Sequence, residues 1–240
     1  LDFQTIQKEV RGDGAGIITL NRPEKRNALS IRMRQEISAC LHRWQSDDSV
    51  GVVIITGGGQ AFCAGFDIEE FRQQELFYQI LESSSHYHHD LWSFPKPIIA
   101  AVNGAAAGGG FDLATLCDIR ICADTAFFSH PEVKFGAPPL FTPLRWIIGD
   151  GLAKDLCLTG RRIDAREAHR IGLVSSVEEN GLLLERALQL AESILEAPRD
   201  TLRFIKGGFK ENEGKGFEES FRREHDRAFR EVLFRKMIPV

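Results

Sequence analysis

Two glycine-bearing turns carry the clearest chemical suggestion in this sequence. The first, Ala61-Phe62-Cys63-Ala64-Gly65-Phe66-Asp67-Ile68, follows the apolar run Val52-Val53-Ile54-Ile55-Thr56. The second, Gly108-Gly109-Gly110-Phe111-Asp112, follows Ile98-Ile99-Ala100-Ala101-Val102. Each leads from a strand-like run into a helix-like one, and such turns leave backbone N–H groups unpaired and aimed outward. One N–H from each loop would make a site for a developing oxyanion. Glycine also simply permits tight turns and close helix–strand contact, but two such turns after neighbouring strands favour the chemical reading. Other signatures are absent from the sequence. There is no Gly-x-x-x-x-Gly-Lys-Ser/Thr phosphate loop, no strand-following Gly-x-Gly-x-x-Gly, no Gly-x-Ser-x-Gly elbow and no His-Glu-x-x-His. His86, His88 and His89 cluster on a predicted helix, but no acid or cysteine completes a metal pattern, so no metal site is expected.

The turns need strands and helices to hold them. Gly16 to Leu20, Val52 to Thr56 and Ile98 to Val102 read as strands, the last two as continuous apolar runs buried on both faces, which indicates parallel pairing. Met33, Ile37, Cys40, Leu41 and Trp44 fall on one helical face behind Ser30, a predicted N-cap. Residues 77–94 read as a helix, Phe111 to Leu116 as another, and Ile119 to Ile121 and Ala126 to Phe128 as short strands. Beyond about residue 150 the chain reads as mainly helical, most clearly over Leu182 to Leu195 and Phe217 to Leu233, where Phe217, Phe221, Ala228 and Val232 recur at helical spacing. Alternating strands and helices give an α/β class.

The 240 residues carry 30 Lys plus Arg against 34 Asp plus Glu, a net charge of −4, which argues against a nucleic-acid partner. A 43% apolar content excludes a disordered chain. Cys40, Cys63, Cys117, Cys122 and Cys157 are odd in number and lack Cys-x-x-Cys spacing, so neither a disulfide framework nor structural zinc is expected, and a reducing, cytoplasmic setting is. No apolar run approaches 18 residues, so no membrane span is expected. Leu1-Asp2-Phe3-Gln4 does not read as a signal peptide, and the missing initiator Met suggests a trimmed chain.

The ordered set of motifs resembles the crotonase (enoyl-CoA hydratase/isomerase) superfamily. Its parts are Asn21-Arg22-Pro23, Asn27-Ala28-Leu29, the Ala61–Ile68 turn, Lys96-Pro97 through Asn103-Gly104, Gly108-Gly109-Gly110, Cys117-Asp118, Pro131-Glu132, Leu158-Thr159-Gly160 and Gly172-Leu173-Val174. Each is weak alone; in this order and spacing they cover nearly the whole chain. The resemblance implies a spiral of ββα repeats over residues 1–190 and a helical trimerisation region over 191–240, giving a homotrimer or a dimer of trimers. It implies an acyl-CoA thioester as substrate, with no further cofactor, held through its oxygen by the backbone N–H groups of Phe66 and Gly109. It implies an acid/base pair, Glu132 and Asp112. CoA contacts fall to Ala28, Ala64, Asp67 and Ile68 and to the basic residues Arg22, Lys25 and Arg26, the local positive patch an acidic protein needs for phosphates.

The chain departs from the family's pattern at two points. Asp stands at 112 where typical hydratases carry Glu, an Asp–Glu pairing more like the dienoyl-CoA isomerase branch. Leu140 stands where that branch has a further acid and where the aroyl-CoA dehalogenase branch keeps its nucleophile. Hydration of a 2-enoyl-CoA is the leading expectation and double-bond isomerisation the alternative. A non-catalytic acyl-CoA-binding scaffold is a rival of another class, opposed by retention of both acids. Phe66, Leu140, Phe141 and Trp146 are expected to line an apolar acyl pocket, with Tyr87 or a neighbouring His at its border. His130 is placed to tune Glu132 or to serve structure.

Overall fold

The computed structural model describes residues 2–212 and 214–233, with Ile238–Val240 outside the described residues. In chain order the strands and α-helices are β1 (Ile6–Val10), β2 (Ala15–Leu20), α1 (Ile31–Gln45), β3 (Val52–Gly57), β4 (Ala61–Cys63), α2 (Ile68–Phe71), α3 (Phe77–Ser93), β5 (Ile98–Val102), β6 (Ala105–Ala107), α4 (Gly109–Leu116), β7 (Ile119–Ala123) and β8 (Phe127–Ser129). They continue with α5 (Thr142–Thr159), β9 (Ile163–Asp164), α6 (Ala165–Arg170), β10 (Ser176–Glu178), α7 (Leu183–Leu195), α8 (Arg199–Glu211) and α9 (Phe217–Arg227), with a π-helical turn at Ala228–Leu233.

The apolar runs pair in parallel as their patterning requires. The larger sheet runs β1-β2-β3-β5-β7-β10, antiparallel between β1 and β2 and parallel elsewhere. A smaller sheet runs β4-β6-β8-β9. Successive units β3–β4, β5–β6 and β7–β8 each give one strand to either sheet, so the chain winds forward as a spiral of strand pairs. Helices cover the faces: α1 buries Met33, Ile37, Cys40, Leu41 and Trp44, and Ser30 caps it by accepting a hydrogen bond from the Met33 N–H at 3.2 Å. Val52 to Ile55 and Ile98 to Val102 are fully buried, which explains their lack of polar alternation.

The winding places both glycine turns on one side of the molecule. The first follows β4 and the second follows β6, and β4 and β6 are paired in parallel. The segment Pro131–Phe135, a short 3-10 turn, leaves β8, the next strand of the same sheet. Three consecutive turns thus emerge from the same ends of three adjacent strands, the usual place for a site in a parallel sheet. The short strands β1, β4, β6, β9 and β10 went unread in the sequence because three residues hold no periodic signal and because β1 is exposed at four of its five positions. All five cysteines are buried free thiols. Position 190 falls inside α7, and the side chains of Phe217 and Val232 lie outside what the structure describes.

Candidate active site

Backbone pairing fixes the direction of the Phe66 N–H, the first expected oxyanion donor. Phe66 and Leu29 form a parallel bridge in which Leu29 N–H donates to Gly65 O at 2.7 Å and Asp67 N–H donates to Leu29 O at 3.2 Å. In such a bridge the central residue's own N–H points away from its partner strand, so the Phe66 N–H faces out. Gly65 makes this possible with φ +100°, and a side chain there would meet Ala107 O at 2.8 Å and Gly109 N at 3.2 Å. The second donor, Gly109, opens α4, and a first-turn N–H has no intrahelical acceptor. Among the described residues, no acceptor is bonded to either N–H. The two turns touch: a Cβ on Gly109 would lie 2.6 Å from the Phe66 ring. The two N–H groups expected to act as a pair thus lie on touching turns, and the second stands at the positive end of α4.

The two acids are also brought near one another, with His130 against both. Asp112, in the first turn of α4, is 6% exposed. Glu132 follows Pro131 at the mouth of the 3-10 turn, and its Oε2 lies 3.2 Å from where a Gly108 Cβ would sit, beside the oxyanion turn. Between them stands His130, fully buried, its Nδ1 2.9 Å from Glu132 Oε1 and its Nε2 4.0 Å from Asp112 Oδ1. Phe111 stacks on the imidazole at 4.5 Å and 21°. Burial first, then the Glu132 charge, pushes the Asp112 carboxyl well above the ordinary carboxylate range, opposed by the Leu140 backbone N–H. Its adjacency to Pro131-Glu132 was the only sequence signal for His130; the contact with Asp112 is tertiary.

The seven candidate CoA contacts also form one patch. Ala64 N–H donates to Arg26 O at 3.0 Å, and Arg22 donates to Ala28 O at 2.8 Å and Asp67 Oδ2 at 2.9 Å. Asn27, buried with φ 56°, ties this loop down through Gly58 O and Ala61 O. Lys25 pairs with Glu69 at 2.8 Å, so Arg22 and Lys25 already face acids of the α2 turn. Arg26 is exposed and makes no ion pair among the described residues. Ile68 is 71% exposed, an apolar surface beside the donors.

The expected acyl wall is divided. Phe66 lines a 390 Å³ cavity with Phe71, Phe77, Ile80, Leu81 and Ser84. Phe141 lines a separate 380 Å³ cleft with Cys157 and Leu158. Trp146 instead packs on Trp92 at 5.3 Å and Leu140 packs on the core. Of the α3 cluster, His86 and His89 are exposed, Tyr87 is fully buried, and His88 sits against Phe66 at 6.2 Å with burial holding its imidazole neutral. No three His, Cys, Asp or Glu are grouped to hold a metal among the described residues.

A family model described as enoyl-CoA hydratase/isomerase matches residues 11–234. The chain belongs to this family. Among curated members, the mitochondrial enoyl-CoA hydratase of Pongo abelii is 41% identical over 201 residues, 80% of this chain and 68% of that protein. The enoyl-CoA hydratase structure from Bacillus anthracis superposes with a TM-score of 0.91 at 32% identity, covering 96% of this chain and 92% of that one. A Thermobifida fusca YX protein assigned as an enoyl-CoA hydratase, solved in complex with CoA, superposes with a TM-score of 0.87 at 30% identity over 98% and 95% of the two chains. The crotonase-like fold read from the motifs is thus the fold of the chain, and the protein is an enzyme of the enoyl-CoA hydratase/isomerase family. Among the described residues of this family member, no helix is long and apolar enough to cross a membrane.

Proposed function

We propose that the protein adds water across the double bond of a 2-enoyl-CoA. The observation that carries the reading is the convergence of Glu132 Oε2, free of any hydrogen-bond partner among the described residues, on the turn that offers the Gly109 N–H. The thioester oxygen sits between the N–H groups of Phe66 and Gly109. Glu132 takes a proton from water as its oxygen bonds to the β-carbon. The π electrons move toward the thioester, and the resulting enolate charge rests on the two donors, each worth about 10²–10³ in rate. Asp112, whose burial favours the protonated carboxyl, supplies the proton that ends on the α-carbon. CoA itself is part of the substrate, Arg22, Lys25 and Arg26 with Ala28, Ala64, Asp67 and Ile68 hold it, and no other cofactor enters these steps.

Double-bond isomerisation is the second reading, favoured by the Asp–Glu pairing, which suits removal and return of a proton at two carbons. Loss of conjugated enoyl-thioester absorbance, with mass detection of the added water, separates the two. Glu132→Gln should lower kcat by at least about 10²-fold; full activity in that variant would overturn the reading. Residues 191–240 serve assembly into a trimer or dimer of trimers: Ile205 and Phe209 of α8 are 51% and 82% exposed, a face that suits burial between copies. A cytoplasmic location agrees with five reduced, buried thiols.

A further inference from the structure

Three polar atoms in the site are buried and without a hydrogen-bond partner: Asp112 Oδ1, His130 Nε2 and Glu132 Oε2. Buried polar atoms without partners are costly, so their grouping calls for a reason. Glu132 Oε2 is accounted for, because it faces the reacting atoms. The other two face each other at 4.0 Å. His130 Nδ1 lies 2.9 Å from Glu132 Oε1, and a carboxylate oxygen accepts, so Nδ1 carries a hydrogen and donates. In the neutral imidazole this leaves Nε2 as a lone-pair acceptor directed at Asp112. Two acceptors facing each other in a dry site repel unless one proton lies between them.

We propose that Asp112, His130 and Glu132 form one proton-sharing unit, in which a single mobile proton sits between Asp112 Oδ1 and His130 Nε2 while Nδ1–H anchors Glu132 so that only Oε2 meets substrate. His130 is then a positioning residue of the reaction, on the reading that Glu132 is its base. With Glu132 ionised, the unit carries one negative charge wherever the shared proton rests. When Glu132 takes a proton from water, that charge is neutralised; when the shared proton leaves through Asp112 to the α-carbon, the charge returns. The substrate side thus receives and supplies one proton each, and the sum balances. The 4.0 Å gap exceeds a hydrogen bond, and such contacts shorten when the site is occupied. Phe111 holds the ring plane, so the imidazole cannot turn aside. Other titratable groups around the unit stay neutral and do not compete: Cys63 on β4 is pushed up to about 12, Cys157 on α5 to about 11, and Tyr87 on α3 well above its ordinary value, each first by burial.

His130→Asn tests this, because an Asn amide can replace Nδ1–H toward Glu132 but offers nothing at Nε2. The variant should keep KM within about threefold and lose about 10² in kcat. The alkaline limb of its kcat–pH profile should move to lower pH, since neutral Asp112 loses its acceptor. His130→Phe, which keeps the stack on Phe111, reports whether fold alone is at issue through its melting temperature. Independently of turnover, nitrogen-15 histidine spectra of the protein loaded with a non-reacting saturated acyl-CoA should contain a slowly exchanging, far-downfield imidazole N–H that vanishes in His130→Asn and shifts in Asp112→Asn. A kcat–pH profile of His130→Asn that overlays the parent, or absence of that resonance in the folded, loaded parent, would overturn the proposal. A protein that shows the resonance but hydrates no enoyl-CoA would instead sink the functional reading and leave the proton-sharing unit standing.

Discussion

Gly109→Ala probes the oxyanion site through its spacing. The added methyl carbon would lie 2.6 and 2.7 Å from two Phe66 ring atoms and 3.5 Å from Leu29 Cδ1. Carbon pairs settle at 3.5–4.0 Å, so the ring or the α4 start must retreat by about 1 Å. The ring is flanked on three sides and opens only on the 390 Å³ cavity it lines. The Arg34 guanidinium lies 4.7 Å from its centroid, Phe71 6.0 Å and His88 6.2 Å. The Phe66 backbone is held by the bridge to Leu29. The part of the displacement that the α4 start takes falls on the separation of the two N–H donors, and 1 Å added to one hydrogen bond abolishes it. Loss of one donor costs about 10²–10³ in kcat, or about 2.7–4 kcal/mol of transition-state stabilisation. Overpacking costs about 1–3 kcal/mol of stability. The assay is kcat and KM on a 2-enoyl-CoA with thermal unfolding alongside. Adding Phe66→Ala removes the ring but keeps the Phe66 backbone N–H, so the double variant should regain at least about tenfold of the loss, the contact term of a double-mutant cycle. A folded Gly109→Ala within threefold of parent kcat, or a double variant no better than the single, would refute the reasoning.

Asp112 has a raised native pKa, so its ionisation costs no stability below the ordinary carboxylate value of 3.8, and stability then falls as pH rises toward the native value, by about 1.4 kcal/mol per pH unit. Asp112→Asn should flatten that stretch of the stability curve between parent and variant in denaturant titrations at stepped pH; parallel curves would reject the shift. Arg34 is fully buried, donates to Leu29 O at 2.6 Å and to Ser83 Oγ at 3.1 and 2.9 Å, and lies 3.7 Å from Glu70. Arg34→Met should therefore lower Tm by roughly 6–12 °C through about 3 kcal/mol of lost stability, with unchanged Tm excluding the role. Arg26→Ala should raise KM for the CoA ester about tenfold with little change in kcat, the loss of one charge-assisted contact; an unaltered KM would remove Arg26 from the CoA patch. Since burial raises Cys40, Cys63, Cys117 and Cys122 to about 12 and Cys157 to about 11, thiol titration of the native protein at neutral pH should find almost none of the five until denaturant is added.

Much of the site was legible because it is built from backbone. The Gly65 and Gly109 turns left a mark in the sequence, since only glycine fits φ +100° at 65 and a ring pressed to the Cα at 109. The apolar strands β3 and β5 announced parallel pairing by their unbroken run of branched side chains, and α1 announced itself by its buried face and Ser30 cap. Glu132 and Asp112, 20 residues apart, became a pair only through resemblance, since no local period links them.

Side-chain partnerships across the fold were not legible. Nothing in the spacing of residues 22, 25, 67 and 69 says that Arg22 would spend its charge on Asp67, or Lys25 on Glu69. Phe66 faces residues of α2 and α3, Phe141 faces α5 and Trp146 faces Trp92 of α3, a division that depends on how these helices pack and not on local sequence. In sequence His130 stands beside Glu132, placed to tune it or to serve structure, and only the turn after β8 brings its other face to Asp112. By itself the sequence determined which backbone groups are left free, because strand pattern and glycine placement are local properties of the chain. The tertiary structure alone decided which charges face one another and where one proton must sit, because those depend on strands paired in space and on burial that removes water from between them.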